Sequence, residues 1–197
     1  MMLGYHGRNI RKKPFISNIN RQKRLKFVKE LENKDEHFWN SVIFSDESKY
    51  NIFGSDGHEK VWRKVNIELD PRNMTATVKH GGWSLIVWGC MAAPGVGIEH
   101  TMNKYDYLNI LKSNLNESAA KLGLDGSFVF QHDNDPKHTA HIVKEWLLYR
   151  TTKQLKTPPQ SLDMNPIEHL CDYLERKIRR HQITSKEYLK AALIEER

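Results

Sequence analysis

The chain has 197 residues, of which 39% are hydrophobic and 28% are charged. This length and composition favour one globular domain with a sizeable core and argue against a disordered or fibrous chain. The 31 Lys and Arg residues exceed the 24 Asp and Glu residues, so the net charge is +7 and an anionic partner is expected.

The two cysteines, Cys90 and Cys171, are far apart in the sequence and form no CxxC pair. This spacing argues against a zinc ribbon or a disulfide framework and is typical of a reducing compartment. The sequence contains neither an apolar run of the ~18 residues that cross a membrane nor the apolar stretch of a secretory signal. We therefore expect a soluble, intracellular protein with no membrane partner.

The basic charge is concentrated at the start of the chain, where residues 1–30 contain nine Lys or Arg and one acid, Glu30. Residues 1–18 are predicted to form an extended arm, and the spacing of Leu25, Val28 and Leu31 predicts a helix over 20–33. We assign residues 1–35 to this arm and helix. Nucleic-acid contacts are predicted at Arg11, Lys12, Lys13, Arg21, Lys23 and Arg24. A solvated tail without a partner is the alternative, and the basic run at 11–13 is weak evidence for nuclear import.

The following segment, to residue 102, is predicted to be rich in antiparallel strands. Apolar runs predict strands at 42–44, 61–65 and 84–92, and residues 97–102 could pair with the last of these as a hairpin. A long polar loop or flap is predicted between them at about 66–82, and loops of this length are often functional.

The rest of the chain alternates between helix and strand. Helices are predicted at 104–122, from Asp135 through Leu148, at 165–180 and from Thr184 onward, with strands at 127–133 and 153–158. Gly123 and Gly126 end the first of these helices, and a capping box begins the last. Residues 36–197 are therefore predicted to form an α/β domain, in which helices flank a mixed sheet of antiparallel and parallel strands.

Three acids lie where regular structure would hold them still: Asp46 after a strand core, Asp133 at a strand end, and Glu168 in the first turn of a helix. Carboxylates gathered on a rigid scaffold bind Mg²⁺ or Mn²⁺, and such ions promote phosphoryl transfer. Structural roles remain open, because Asn165 and Glu168 match a capping box. Asp135 in turn matches a helix cap, which leaves Asp133 available for another role.

Other residues have simpler interpretations. His132, His138 and His141 lack the thiol partners of a zinc site, so we do not expect one. Trp39, Trp62, Trp88 and Trp146 are predicted to be core residues. Trp83, beside two glycines in the flap, is the tryptophan that could stack on a nucleic-acid base.

Several motifs together resemble the Tc/mariner superfamily of transposases. They are SDESKYNIFGSDG with VWRK, GGWSLIVWGCMA, FQHDNDPKHTA and PPQSLDMNPIEHL, with 34 residues between Asp133 and Glu168. The resemblance covers roughly residues 10–195. It implies an RNase H-like fold and a catalytic, metal-binding triad of Asp46, Asp133 and Glu168.

The same resemblance implies two Mg²⁺ ions, with Mn²⁺ able to substitute, and DNA as the partner. The expected reaction is cleavage at inverted-repeat ends followed by insertion at TA dinucleotides, carried out in the nucleus by a homodimer. The flap would contribute to subunit contacts, and the arm would correspond to the linker before the catalytic domain.

The chain also departs from the family pattern. It lacks the two helix-turn-helix modules with which members usually begin, and it stops within its last helix. Leu162 stands where the family prefers proline, Cys171 where it has tryptophan, and Trp83 where a third glycine is common. Two alternatives therefore stay open: an inactive or domesticated remnant that binds DNA non-specifically, and a cellular RNase H-like nuclease.

Overall fold

The computed structural model of the chain describes residues 15–51, 84–97, 100–102, 107–124, 126–181 and 183–196. The predicted strand at 61–65, the flap at 66–82 and the arm residues before 15 lie outside these ranges, as do Trp62 and Trp83. Within them, no helix is long and apolar enough to cross a membrane.

The centre of the molecule is a six-stranded mixed sheet with the order β3-β2-β1-β5-β6, in which β4 also pairs with β2. The long strand β1 pairs antiparallel with β2 and parallel with β5, and β5 pairs parallel with β6. The strands are β1 (Val42–Asn51), β2 (Ser84–Ala92), β3 (Gly95–Val96), β4 (His100–Met102), β5 (Val129–His132) and β6 (Lys153–Lys156). The predicted mixed sheet and the hairpin after β2 are confirmed.

Within the described ranges, six α-helices accompany the sheet. They are α1 (Asn18–Leu31), α2 (Glu36–Asn40), α3 (Tyr107–Lys121), α4 (His141–Arg150), α5 (Ile167–Ile178) and α6 (Lys186–Glu196). The helix α3 ends as its glycine predicts, because Gly123 adopts a φ of 69° that other residues rarely adopt. A 3-10 turn at Leu162–Met164 precedes α5.

Apolar side chains cover both faces of the sheet. On one face Ile43, Trp88 and Phe130 pack with residues of α3 and α4, and on the other Tyr50, Leu85 and Val87 pack with α5 and α6. Because successive residues of a strand point to opposite faces, Asp46 and Glu47 of β1 lie on different sides of the sheet. This alternation determines which groups each acid meets.

The ends of three predicted helices differ from the structure. Asp135 and Pro136 begin only a short turn, and α4 starts at His141 with Ala140 as its cap. Asn165 does not cap α5, because its side-chain amide donates instead to the carbonyl of Ser45, at 3.3 Å. In α6 the capping side chain is Ser185, which accepts from the Tyr188 N–H, and not Thr184.

The tryptophans that were predicted to belong to the core differ in their burial. Trp88 is fully buried and Trp146 packs against the α3–α4 side of the core. Trp39 is 37% exposed, because the short helix α2 places it edge-on against Phe38 at the surface. The prediction that Trp39 belongs to the core was therefore wrong.

Candidate active site

Asp46 and Glu168 form a pair of half-buried carboxylates between β1 and the first turn of α5. Burial is the main cause that raises the pKa of Asp46 to about 7, and the negative charge of Glu168 adds to it. The N–H of Glu47 donates to Asp46 Oδ1 at 2.9 Å, which favours the charged form but does not offset the other causes. The surroundings therefore do not fully compensate the negative charge of the pair.

The start of α5 is held against the sheet by buried amide side chains. The Asn165 amide donates to the carbonyl of Ser45, the residue before Asp46, and the Gln131 amide donates to the carbonyl of Met164 at 3.4 Å. Both side chains are almost completely buried. These contacts place Glu168 opposite Asp46, so Asn165 serves tertiary packing where the sequence predicted a helix cap.

Asp133, directly after β5, has the opposite electrostatic environment. Its Oδ1 accepts from the Asp135 N–H at 2.9 Å and makes a short contact with Nδ1 of His138. Burial alone would raise the pKa of Asp133, but the hydrogen bonds from His138 and Asp135 outweigh burial and lower it. Both contacts use Oδ1, so Oδ2 points to no other group among the described residues.

His138 connects Asp133 to a second acid. Its Nε2 lies 2.9 Å from Glu47 Oε2, and its side chain is 1% exposed. Burial alone would lower the pKa of His138, but the carboxylates of Asp133 and Glu47 outweigh burial and raise it to about 9. A pKa of about 9 favours the imidazolium form of the ring between the two carboxylates at neutral pH. The Tyr107 ring lies tilted by 32° against it, with centroids 3.9 Å apart.

Asp46 and Asp133 occupy corresponding positions just past the parallel pairing of β1 with β5. The last parallel pair between β1 and β5 is Phe44 with Gln131, and each acid follows its strand's member of that pair by two residues. Within the described part of the chain, however, no group of three or more His, Cys, Asp or Glu side chains is arranged to hold a metal ion. The structure thus brings together Asp46 with Glu168, and Asp133 with His138 and Glu47.

Sequence reasoning missed Glu47 and gave His138 no role. The signal for His138 was its position five residues after Asp133, on a short Asp-Pro turn that folds it back toward the strand end. His132 and His141 have different surroundings. Burial, followed by the charge of His138, lowers the pKa of His132 to about 4, whereas His141 is 95% exposed at the start of α4.

The predicted nucleic-acid contacts lie in part outside the described ranges, namely Arg11, Lys12, Lys13 and Trp83. Arg21 and Lys23 are exposed on α1. Arg24 differs from them because its side chain is only 14% exposed and forms an ion pair with Asp163 at 2.6 Å. Its guanidinium is thus occupied by a protein carboxylate.

Two cavities adjoin the acids. One of about 260 Å³ lies beyond the carboxyl ends of β5 and β6 and is lined by Asp133 and the loop 157–162. The other lies between α5 and β1–β2, is lined by Asp46 and Cys171, and measures only about 10 Å³. The cysteine at 171 therefore leaves little unfilled space.

The sequence of the chain was compared with those of known proteins. No protein-family model matches the chain. The chain is 43% identical over 179 residues to the transposable element Tc1 transposase of Caenorhabditis elegans, an alignment that covers 89% of the chain and 65% of that relative. The chain thus spans slightly less than two thirds of the curated relative it matches.

Solved structures share the fold. A Mos1 transposase paired-end complex with the left transposon end superposes with a TM-score of 0.78 at 20% identity, covering 98% of the chain and 59% of that protein. The Mos1 transposase catalytic domain with raltegravir and Mn superposes with a TM-score of 0.69 at 17% identity, covering 93% and 84%. The described sheet and helices therefore have an RNase H-like arrangement.

Proposed function

We propose that the chain belongs to the Tc/mariner superfamily of transposases and that it is a catalytic domain that cleaves DNA strands and joins them to a target. The observation that carries the proposal is the pairing of Asp46 with Glu168, in which burial, followed by the negative charge of Glu168, raises the pKa of Asp46 to about 7. Buried like charges are costly unless a cation or proton neutralises them. Perturbed carboxylates of this kind are typical of functional sites.

The chemistry of the donor atoms supports a divalent cation. Oxygen donors without thiols suit Mg²⁺ or Mn²⁺, and a solved Mos1 catalytic domain contains Mn and another contains Mg. We propose that Asp46 and Glu168 hold one ion and that Asp133 Oδ2 contributes to the same centre, with two ions in all. Such ions would polarise a phosphate group of the substrate and lower the pKa of a bound water.

The chain's own groups orient that centre. The Glu47 N–H keeps one oxygen of Asp46 engaged and leaves the other to face Glu168. His138 and the Asp135 N–H hold Asp133 by its Oδ1. Asn165 keeps the first turn of α5, and with it Glu168, against β1. Carboxylates held in this way need little reorganisation when a ligand arrives.

We propose DNA as the substrate and a basic surface on α1 as part of its binding site. Arg21 and Lys23 are exposed there, and Arg11, Lys12, Lys13 and Trp83 stay predictions outside the described ranges. A related Mos1 transposase has been solved as a paired-end complex with a transposon end. By analogy we propose inverted-repeat ends and TA targets as substrates, a homodimer as the active form, and the nucleus as the location.

The proposed domain division is a linker arm with its helix at 1–35 and the catalytic domain at 36–197, with the flap at 66–82 contributing to subunit contacts. The chain spans 65% of the Tc1 transposase.

Plasmid nicking tests the proposal. Purified protein with Mn²⁺ or Mg²⁺ should convert supercoiled plasmid to the open circle, and Asp46→Asn should lower the rate about a hundred- to a thousandfold, since removing one electrostatic group of an active site commonly costs 10²–10³. Asp172→Asn, on the same helix as Glu168 and outside the site, is the matched control. Intact plasmid with wild-type protein at every metal concentration would contradict the enzymatic function and leave a DNA-binding remnant.

A further inference from the structure

The helix α1 is joined to the loop before α5 by one arginine. Arg24 donates through Nη1 and Nη2 to both carboxylate oxygens of Asp163, at 2.7 and 2.6 Å. The same Nη1 lies 2.6 Å from the Gln160 carbonyl and 3.1 Å from Ser161 Oγ. A bidentate guanidinium–carboxylate pair is among the stronger and more directional polar contacts.

Further contacts join the same two segments. The Asn20 amide donates to Gln160 Oε1 at 2.9 Å, and the Gln160 amide donates to the Phe15 carbonyl at 3.1 Å. Gln160 has a φ of 57°, a conformation that non-glycine residues seldom adopt unless their surroundings hold them there. The segment from Gln160 to Asp163, termed here the pre-α5 loop, is therefore held in one conformation by α1.

The pre-α5 loop leads directly to the proposed metal-binding residue Glu168. After Asp163 the chain passes through Met164 and Asn165, which contact Gln131 and the Ser45 carbonyl. The start of α5 is thus held on one side by the sheet and on the other by Arg24. Losing one of these supports would allow Glu168 to shift, and displacements of about 1 Å in an active site can cost about a hundredfold in rate.

We propose that Arg24 is a positioning residue for Glu168 and not a DNA contact. It couples the basic helix α1 to the pre-α5 loop, so that the placement of the linker helix determines the placement of the third acid. The inference rests on the proposed function, because it takes Glu168 as an active-site carboxylate.

A double-mutant cycle tests this role. Arg24→Ala and Asp163→Ala should each lower the single-turnover nicking rate about tenfold while the Kd for DNA changes less than about twofold, and the double variant should be no slower than either single one. Arg179→Ala is the matched control, since Arg179 forms an exposed ion pair with Glu175, also at 2.6 Å, on α5 itself. Its nicking rate should equal the wild-type rate.

A DNA-contacting role gives a different pattern. In that case Arg24→Ala would raise the Kd and reduce the slope of log Kd against log salt by about one, as expected for Lys23→Ala, and Asp163→Ala would leave the rate unchanged. That pattern, or rate losses that add in the double variant, would overturn the positioning role.

Amide hydrogen exchange separates a failure of this inference from a failure of the proposed function. Arg24→Ala should speed exchange at the amides of Met164, Asn165 and Glu168, which donate within this segment, whether or not the protein cuts DNA. Unchanged exchange there would refute the coupling even for an active enzyme. Faster exchange in Arg24→Ala, found together with a wild-type protein that never nicks DNA, would refute only the catalytic function.

Discussion

The two halves of the candidate site handle negative charge in opposite ways. Asp46 and Glu168 face each other on the α5 side of the sheet, and burial with mutual repulsion raises the pKa of Asp46 to about 7. Asp133 and Glu47 lie on either side of His138, whose pKa their carboxylates raise to about 9 despite burial. One half lacks a cation among the described residues, whereas the other contains a buried imidazolium ion.

This difference assigns a separate task to each half. Cation binding relieves the repulsion between two carboxylates, so we propose that the Asp46–Glu168 half takes a ligand. In the Asp133–His138–Glu47 half one imidazolium charge already offsets part of the two carboxylate charges, so we propose that this half keeps Asp133 in a fixed orientation. The comparison can be tested by removing the compensating charge from one half and the repelling charge from the other.

Removing the imidazolium ion should have the largest effect on stability. His138→Ala leaves the Asp133 and Glu47 carboxylates without their shared counter-ion. Loss of one partner of a fully buried pair typically costs about 3–5 kcal/mol, but Asp133 is 41% exposed, so solvent screening should lower the cost here to about 2–3 kcal/mol. Urea denaturation at pH 7 measures the free energy of unfolding directly.

The matched control for this variant is His141→Ala, because the His141 side chain is 95% exposed and only 3.9 Å from Glu145 in a surface pair. It should change the free energy of unfolding by less than about 0.5 kcal/mol. Equal effects of the two substitutions would show that His138 carries no charge at pH 7.

Removing the repulsion should have a smaller effect of opposite sign. Because the folded-state pKa of Asp46 is raised from 3.8 to about 7, the folded state binds the proton more tightly and loses stability as the pH rises between these values. Asp46→Asn imitates the protonated acid. It should therefore stabilise the metal-free protein by about 2 kcal/mol at pH 8 and by much less near pH 4.

The pH dependence itself is the control for Asp46→Asn. A gain that is the same at pH 4 and pH 8 would point to packing and not to the titration of Asp46. Thermal unfolding in EDTA at both pH values distinguishes a packing effect from the titration of Asp46. A gain at pH 8 alone would mean that the substitution stabilises the protein while it removes the proposed activity.

The fold was predictable where local pattern and tertiary structure agree. The apolar run of β2 and the helical spacing of α3, with Gly123 at its end, gave elements close to those observed. Helix starts were less predictable because tertiary contacts compete for the same polar side chains. Asn165 donates to the Ser45 carbonyl and not to its own helix.

The sequence predicted which residues would form the site, but not which residues pair with one another there. Sequence spacing and a family resemblance named Asp46, Asp133 and Glu168, yet charge counting treated Arg24 like its exposed neighbours. Its partner Asp163 is 139 residues away, and the partner of His138 on β1 is similarly remote in sequence. Such ion pairs depend on how the sheet and α1 pack, which no local pattern encodes.

The smallest expected effect tests whether the uncompensated half binds a cation. At a Mg²⁺ or Mn²⁺ concentration of five times Kd, binding to the folded state alone should stabilise the protein by about 1 kcal/mol. Because the proton on Asp46 competes with the metal, this gain should be larger at pH 8 than at pH 6. Thermal unfolding with and without metal measures it.

Substitution of the acids decides where the metal acts. Glu168→Gln removes one of the two repelling charges and should abolish the metal-dependent stabilisation, whereas Glu145→Gln, at an exposed position of α4, should retain it in full. If Glu168→Gln keeps the whole effect and His138→Ala loses it, the cation binds on the Asp133 side. The two halves of the site would then exchange the tasks assigned to them here, because the metal would depend on Asp133 held in place by His138.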